Sequence, residues 1–263
     1  MEYLIVAAAA LAVSGLTMYS GFGLGTLLMP VFALFFPVEV AVASTAVVHG
    51  ANNIFKISLL GRQADWGIVI RFGIPAILAA FAGAAALGLV AHFNEMARYS
   101  IGTHTAVITP LKLVMGILML VFALFELLPG LKNLKFDRRY LFAGGILSGF
   151  FGGFSGHQGA LRSAFLAKVG IDTKAFVGTN AVIGFMVDMA RIATYAAVFL
   201  AAGTASSVIG KEQAPLIVTG ILAAFAGVML GKRFLGKITM KTVQTITGVL
   251  LLGIALALGA GLV

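Results

Sequence analysis

Cysteine is absent from all 263 residues, which excludes disulfides, thiolate catalysis and Cys-ligated zinc or iron–sulfur sites. Charge is scarce as well. Asp, Glu, Lys and Arg make up 10% of the chain, against about 25% in a soluble domain. Several chemical signatures are also missing. No Walker lysine motif occurs, which argues against direct ATP drive, and there is no His-Glu-x-x-His metal spacing and no Gly-x-Ser-x-Gly nucleophile elbow. Phe154-Ser155-Gly156 is only a fragment of the elbow.

What is there is apolar. Hydrophobic residues account for 60% of the chain and the mean hydropathy is +1.07, which makes it an integral membrane protein. Ala and Leu come in long runs rather than in alternation, so helices are expected and an outer-membrane barrel is not. At about 20 residues per span the length accommodates about eight to ten membrane segments and no soluble domain. The net charge of +9 sits mostly in loops between apolar runs, where it fixes orientation rather than binding nucleic acid. The opening Met1-Glu2-Tyr3 lacks the basic stretch of a signal peptide, so the first apolar run is expected to be retained.

The apolar runs number ten. The first five cover residues 4–18, 23–36, 41–60, 67–90 and 105–128. The second five cover 140–153, 159–169, 175–201, 214–230 and 242–262. The first two runs of each set are short and separated by a Gly-rich break. Ser14-Gly15 recurs as Ser148-Gly149, Gly25 as Gly159, Leu27 as Leu161, Ala41 as Ala175, Thr45 as Thr179 and Gly50 as Gly184, always 134 positions later. A constant offset that includes Ser and Thr predicts a duplication, with one repeat over 1–130 and a second over 131–263.

Charge decides how the repeats are related. Eleven basic residues (Arg62; Lys132, Lys135, Arg138, Arg139; Lys168, Lys174; Lys232, Arg233, Lys237, Lys241) fall in four connections. If these are cytoplasmic, ten segments alternate consistently as five plus five. Five is odd, so the repeats are inverted and both termini are non-cytoplasmic. The predicted fold is therefore an all-α integral membrane protein of two inverted-topology repeats, each a short Gly-broken helical hairpin plus three transmembrane helices.

The breaks are Ser20-Gly21-Phe22-Gly23 and Phe154-Ser155-Gly156-His157-Gln158-Gly159. Irregular backbone at membrane depth survives only where protein buries it or it lines a cavity, and half-helix N-termini facing that point suit an anion. Ser20, Gly21, Ser155, His157 and Gln158 are therefore candidate substrate contacts. These residues resemble the sulfite exporter TauE/SafE family. The likeness rests on Gly21-Phe22-Gly23-Leu24-Gly25 through Pro30 with Ala43-Ser44-Thr45, and on Gly152-Gly153-Phe154-Ser155-Gly156 with Val177-Gly178-Thr179-Asn180. It spans the chain through the duplication, the length and the basic connection between halves. The resemblance implies export of sulfite or a small organosulfonate across a bacterial inner membrane. Ser155-Gly156-His157-Gln158-Gly159 departs from a plainer glycine run, which bears on the substrate rather than the fold.

A charge near the bilayer centre costs about 2.5–3.5 kcal/mol on insertion scales, so each one needs a reason. Arg162 lies three residues past Gly159, expected within reach of His157 and Gln158, and its guanidinium fork suits sulfite or a sulfonate. Asp188 and Arg191 share a helix face. They are either a neutralising pair or a coupling device in which Asp188 releases Arg191 to substrate. Asn180 is placed on the same cavity. His49, Asn52, Asn53 and Lys56 form one stripe at helical spacing, whose first three members are candidate substrate contacts. Lys56 is expected to snorkel to the cytoplasmic surface, with Lys112 and Glu126 snorkelling at segment ends. His92 and His104 read as solvated loop residues, and Trp66 and Tyr140 as interface anchors.

These features predict a secondary transporter for a small anion, working by alternating access of the two repeats. It needs no cofactor, and its partners are the anion and the lipid bilayer, with no nucleic acid. The alternatives are an anion channel, a carrier for a carboxylate and, remotely, an intramembrane enzyme. The small-residue face Gly83-Ala84-Ala85-Ala86 either supports a homodimer or packs within the protomer.

Overall fold

The computed structural model describes the chain apart from residues 19–22, 103, 133–135, 167–168, 202–212, 235–239 and 263. Each apolar run becomes a helix. The first half gives α1 (Glu2–Leu16), α2 (Leu24–Ala33), α3 (Val38–Leu60), α4 (Trp66–Ala91) and α5 (Pro110–Leu127). The second half gives α6 (Leu141–Ser155), α7 (Gln158–Leu166), α8 (Thr173–Ala201), α9 (Ala214–Phe234) and α10 (Met240–Gly259). Among the described residues α4, α5, α8 and α9 are long and apolar enough to cross a membrane. The chain is an all-α membrane protein. Helices α2 and α7 have 10 and 9 residues, about 15 Å of rise, or half of a hydrocarbon core about 30 Å thick.

One expectation is corrected. Strands β1 (Ala97–Ile101) and β2 (His104–Ile108) form an antiparallel hairpin across what the sequence reads as a loop and the start of the fifth run. Thr105, Val107 and Ile108 are β-branched and suit a strand, and Pro110 then opens α5 with Thr109 as its cap, accepting from Lys112 N at 3.1 Å. The hairpin is tied to the end of α10 by Val107 N donating to Gly261 O at 3.0 Å. His104 therefore begins a strand, while His92 is exposed as expected.

Small residues draw the helices together. On α6, Gly145, Gly149 and Gly153 recur every four residues. A Cβ at these positions would lie 2.3, 2.1 and 2.1 Å from the carbonyl oxygens of Phe72, Ala76 and Ala80 on α4. Gly83 returns the favour, its Cβ position lying 2.0 Å from Phe150 O. The small-residue face of α4 is thus used within the protomer, because only glycine permits this backbone approach. The seam between α1 and α9 is built likewise, with Gly227 against Leu11 O at 2.3 Å.

The order of these contacts gives the helix directions. Phe72, Ala76 and Ala80 meet Gly145, Gly149 and Gly153 in ascending order, so α4 and α6 run parallel. Gly220 meets Val6 and Gly227 meets Gly15, so α1 and α9 are parallel too. By contrast Gly50 meets Asp188 while Gly178 meets Leu60, and Gly116 meets Gly259 while Gly248 meets Glu126. The third helices of the two halves, and likewise the fifth, therefore run antiparallel.

The molecule is apolar outside and polar at its centre. Leu78, Leu89, Ile117, Leu222, Val249 and Leu256 are all exposed, as lipid requires, with Trp66 and Tyr140 also exposed. His49, Asn53, Arg162, Asn180, Asp188 and Arg191 are buried.

Candidate anion-binding site

The polar centre forms where α3, α7 and α8 converge beside the α6–α7 break. Asp188 on α8 is its hub. Its Oδ2 lies 2.7 Å from His49 Nδ1 and accepts from Asn53 Nδ2 at 3.0 Å. Its Oδ1 accepts from Arg191 Nη2 at 2.8 Å, Arg191 Nε at 3.1 Å and Gln158 Nε2 at 3.2 Å. A carboxylate only accepts, so the His49 proton is assigned to Nδ1. The i,i+3 spacing within α8 sets the Asp188–Arg191 pair, and the i,i+4 spacing within α3 sets His49 and Asn53. Two glycines let the helices close over them. A Cβ at Gly50 would stand 3.4 Å from Asp188 Cβ, and one at Gly184 would stand 2.7 Å from Asn53 Nδ2 and 3.2 Å from Arg162 Nη1.

Gln158 carries the network onward. Its Oε1 accepts from Arg162 Nη1 at 2.9 Å, and Arg162 Nε donates to Asn180 Oδ1 at 2.7 Å. Asn180 Nδ2 is spent on Phe176 O at 2.9 Å. His49, Asn53, Gln158, Arg162, Asn180, Asp188 and Arg191 are thereby one hydrogen-bonded set. A narrow cavity opens beside it, with room for about one water, lined by His49, Asn53, Lys56 and Asn180 together with Thr17 and Leu24.

Lys56 is one residue that sequence reasoning placed wrongly. It does not snorkel. It is 7% exposed and faces that cavity, with no hydrogen-bond or ion-pair partner among the described residues. The signal was its i+7 position on the polar stripe, outweighed by nearness to the helix end. Glu126 does not snorkel either, being 4% exposed. Lys112 is half-buried and its Nζ donates to Val107 O at 3.1 Å.

Other candidates separate from the network. Asn52 points the opposite way, its Oδ1 lying 3.2 Å from Ser14 Oγ on α1. Arg162 reaches Gln158 but no bond joins it to His157. Instead His157 Nδ1 lies 3.0 Å from Ser155 Oγ, which itself donates to Phe151 O, while the imidazole stacks on Phe122 with centroids 5.1 Å apart. Ser20 and Gly21 lie outside the described residues.

The two hairpins meet at this depth. Gly23, at φ 120°, precedes α2, and Gly156, at φ 81°, ends α6. A Cβ on Gly25 would lie 3.3 Å from Gly156 O and 3.5 Å from His49 Cδ2, while one on Gly156 would lie 2.9 Å from Arg191 Nη1. Both backbone turns therefore abut the charged centre, and a side chain at Gly156 would displace the guanidinium as well as strain the left-handed backbone.

Comparison with known proteins gives the site its context. The family model described as Sulfite exporter TauE/SafE matches residues 4–258. The chain belongs to the sulfite exporter TauE/SafE family. No curated individual protein matches it. Its family consists of membrane transporters, not enzymes, and the match takes in both hairpins and helices α1–α10 almost to their ends.

Proposed function

We propose that this chain is a secondary transporter that exports sulfite or a small organosulfonate, binding it at the cavity lined by α3, α8 and the start of α2. The observation that carries the reading is a surplus of buried positive charge. Lys56, Arg162 and Arg191 are 7%, 1% and 0% exposed, and among the described residues one carboxylate, Asp188, lies in this cluster, paired with Arg191. Buried charge is expensive unless compensated, and an anion seated beside Lys56 supplies the compensation. The Arg162 guanidinium, held by Asn180 and Gln158, adds positive charge beside the cavity, and Lys56 faces it as a point charge. The N-termini of α2 and α7 contribute partial positive charge at the same depth.

Asp188 acts within the site as a stand-in for substrate. It holds Arg191 while the site is empty, and an arriving anion competes with it, which makes Asp188 the coupling candidate of the binding site. His49, Asn53, Gln158 and Asn180 orient these charges. Ser155 and His157 shape the α6–α7 turn behind them.

Alternating access follows from the pairing of helices. Equivalent helices α3 and α8, and α5 and α10, run antiparallel, while the reciprocal pairs α4 with α6 and α1 with α9 run parallel. These directions support two inverted repeats, residues 1–130 and 131–263, with the site between them and the hairpin tips in contact across it. With the basic connections cytoplasmic, both termini face away from the cytoplasm of a bacterial inner membrane.

The test is counterflow in proteoliposomes loaded with sulfite, sulfoacetate, taurine, acetate or phosphate, following a labelled sulfonate, with Arg162→Ala alongside. Trans-stimulation by sulfur anions, lost in the variant, supports the reading. Stimulation by acetate alone reassigns the substrate to carboxylates, and single-channel currents reassign the mechanism to a pore.

A further inference from the structure

Glu126 is a buried carboxyl that the anion site does not use. It lies in the last turn of α5, 4% exposed, and among the described residues its Oε2 has no hydrogen-bond partner. It faces the antiparallel helix α10, where a Cβ on Gly248 would stand 3.1 Å from Glu126 Cβ. Thr247, next to Gly248, is fully buried and its hydroxyl is also without a partner among the described residues. Two orphaned oxygens thus occupy one stretch of an apolar seam, where each unmade hydrogen bond is costly.

We propose that Glu126, with Thr247 beside it, is the proton-binding site that couples transport to the proton gradient. The step is a simple association: a carboxylate oxygen takes up one proton and becomes a neutral acid, and releases it again on the other side of the cycle. A metal cation is disfavoured because it needs several oxygen ligands, and the described residues of this seam supply two unpartnered oxygens. Among the described residues no charged group pairs with Glu126. Helix α4 carries Arg71, which is exposed, α2 carries no titratable residue, and Lys112 at the opposite end of α5 is held by Val107 O. Lys241 lies seven residues from Gly248, about 10 Å along α10. Its side chain, like that of Lys132 in the turn after α5, lies outside the described residues.

The seam is connected to the anion site. One turn before Glu126, Phe122 stacks on His157 at an interplanar angle of 10°, and His157 follows Gly156, which abuts Arg191. His157 Nε2 is buried and has no partner among the described residues, so the imidazole can shift with Phe122 without losing a bond at that nitrogen. Protonation changes the charge in the α5–α10 seam, and α5 transmits any resulting movement to the hairpin break. Asp188 is less suited to this role, since both its oxygens are already filled by four side chains.

The proposal rests on the transporter reading only for its transport arm, so the experiment has two. In the first, purified protein in liposomes is titrated with protons and followed by infrared difference spectroscopy. One buried carboxylic acid C=O band is expected to vanish in Glu126→Gln and to shift in Glu126→Asp. In the second, Glu126→Gln is expected to keep sulfite counterflow while its pH-gradient-driven sulfite accumulation ratio falls to unity. An unchanged infrared band, undiminished gradient-driven accumulation, or accumulation that follows sodium instead of protons would overturn the assignment. Failure of both variants to yield monodisperse protein would make Glu126 structural and overturn it too. If wild-type protein moves no sulfur anion while the band behaves as expected, the substrate reading falls and the proton site stands.

Discussion

Replacing Lys56 with methionine separates a substrate-binding cation from a structural one. The side chains are similar in volume, and Lys56 gives up no hydrogen bond or ion pair with the described residues on replacement. Removing an unpartnered buried ammonium therefore leaves stability unchanged or raises it. Binding is another matter. An anion about 4 Å from the ammonium gains about 4 kcal/mol at an effective dielectric near 20. With half of that discounted for water entering with the substrate, the loss is about 2 kcal/mol, or roughly 30-fold in Kd. Titration calorimetry with sulfite reads the affinity, and thermal unfolding in detergent reads the stability. Wild-type affinity in Lys56→Met would refute the placement of substrate at this cavity. A sharply lowered Tm would show that the ammonium is held by the protein itself.

Arg191→Met inverts that pattern, leaving Asp188 buried without its guanidinium and costing about 3–5 kcal/mol of stability, visible as a large drop in Tm. Asp188→Asn keeps the shape of the hub but removes its charge; the pH profile of sulfite counterflow is expected to change, and an unchanged profile would leave Asp188 as a packing partner. Gly149→Val forces a Cβ to within 2.1 Å of Ala76 O, so α4 and α6 must separate, and size-exclusion chromatography should show loss of monodisperse protein. Asn52→Ala should leave sulfite affinity within about twofold, since Asn52 faces Ser14 rather than the cavity; a larger loss would extend the site toward α1.

Most of the fold was legible in sequence because lipid imposes a simple code. Ten apolar runs became ten helices with ends displaced by a few residues, and the single misreading was the hairpin over Ala97–Ile108, where short alternating strands resemble a polar loop followed by a helix. The 134-residue offset picked out positions that pack in equivalent ways, Gly50 against α8 and Gly184 against α3. The offset does not locate the site, because the polar residues break the repeat. Positions 134 away from Lys56, Arg162 and Asp188 are Ala190, Leu28 and Ile54. Burial cost identified most of the site residues one by one, since an intramembrane charge must be compensated.

The sequence by itself determined membrane residence, helix number, the breaks and which residue types were too polar to face lipid. Those are properties of a single segment measured against a solvent. Tertiary structure decided the pairings: that Asn53 and His49 share Asp188 while Asn52 turns to Ser14, that Arg162 meets Gln158 and not His157, and that Lys56 and Glu126 are enclosed. Each of these depends on the rotation and approach of two helices, which glycine contacts between segments far apart in the chain set, and no local pattern records which partner a helix face will meet.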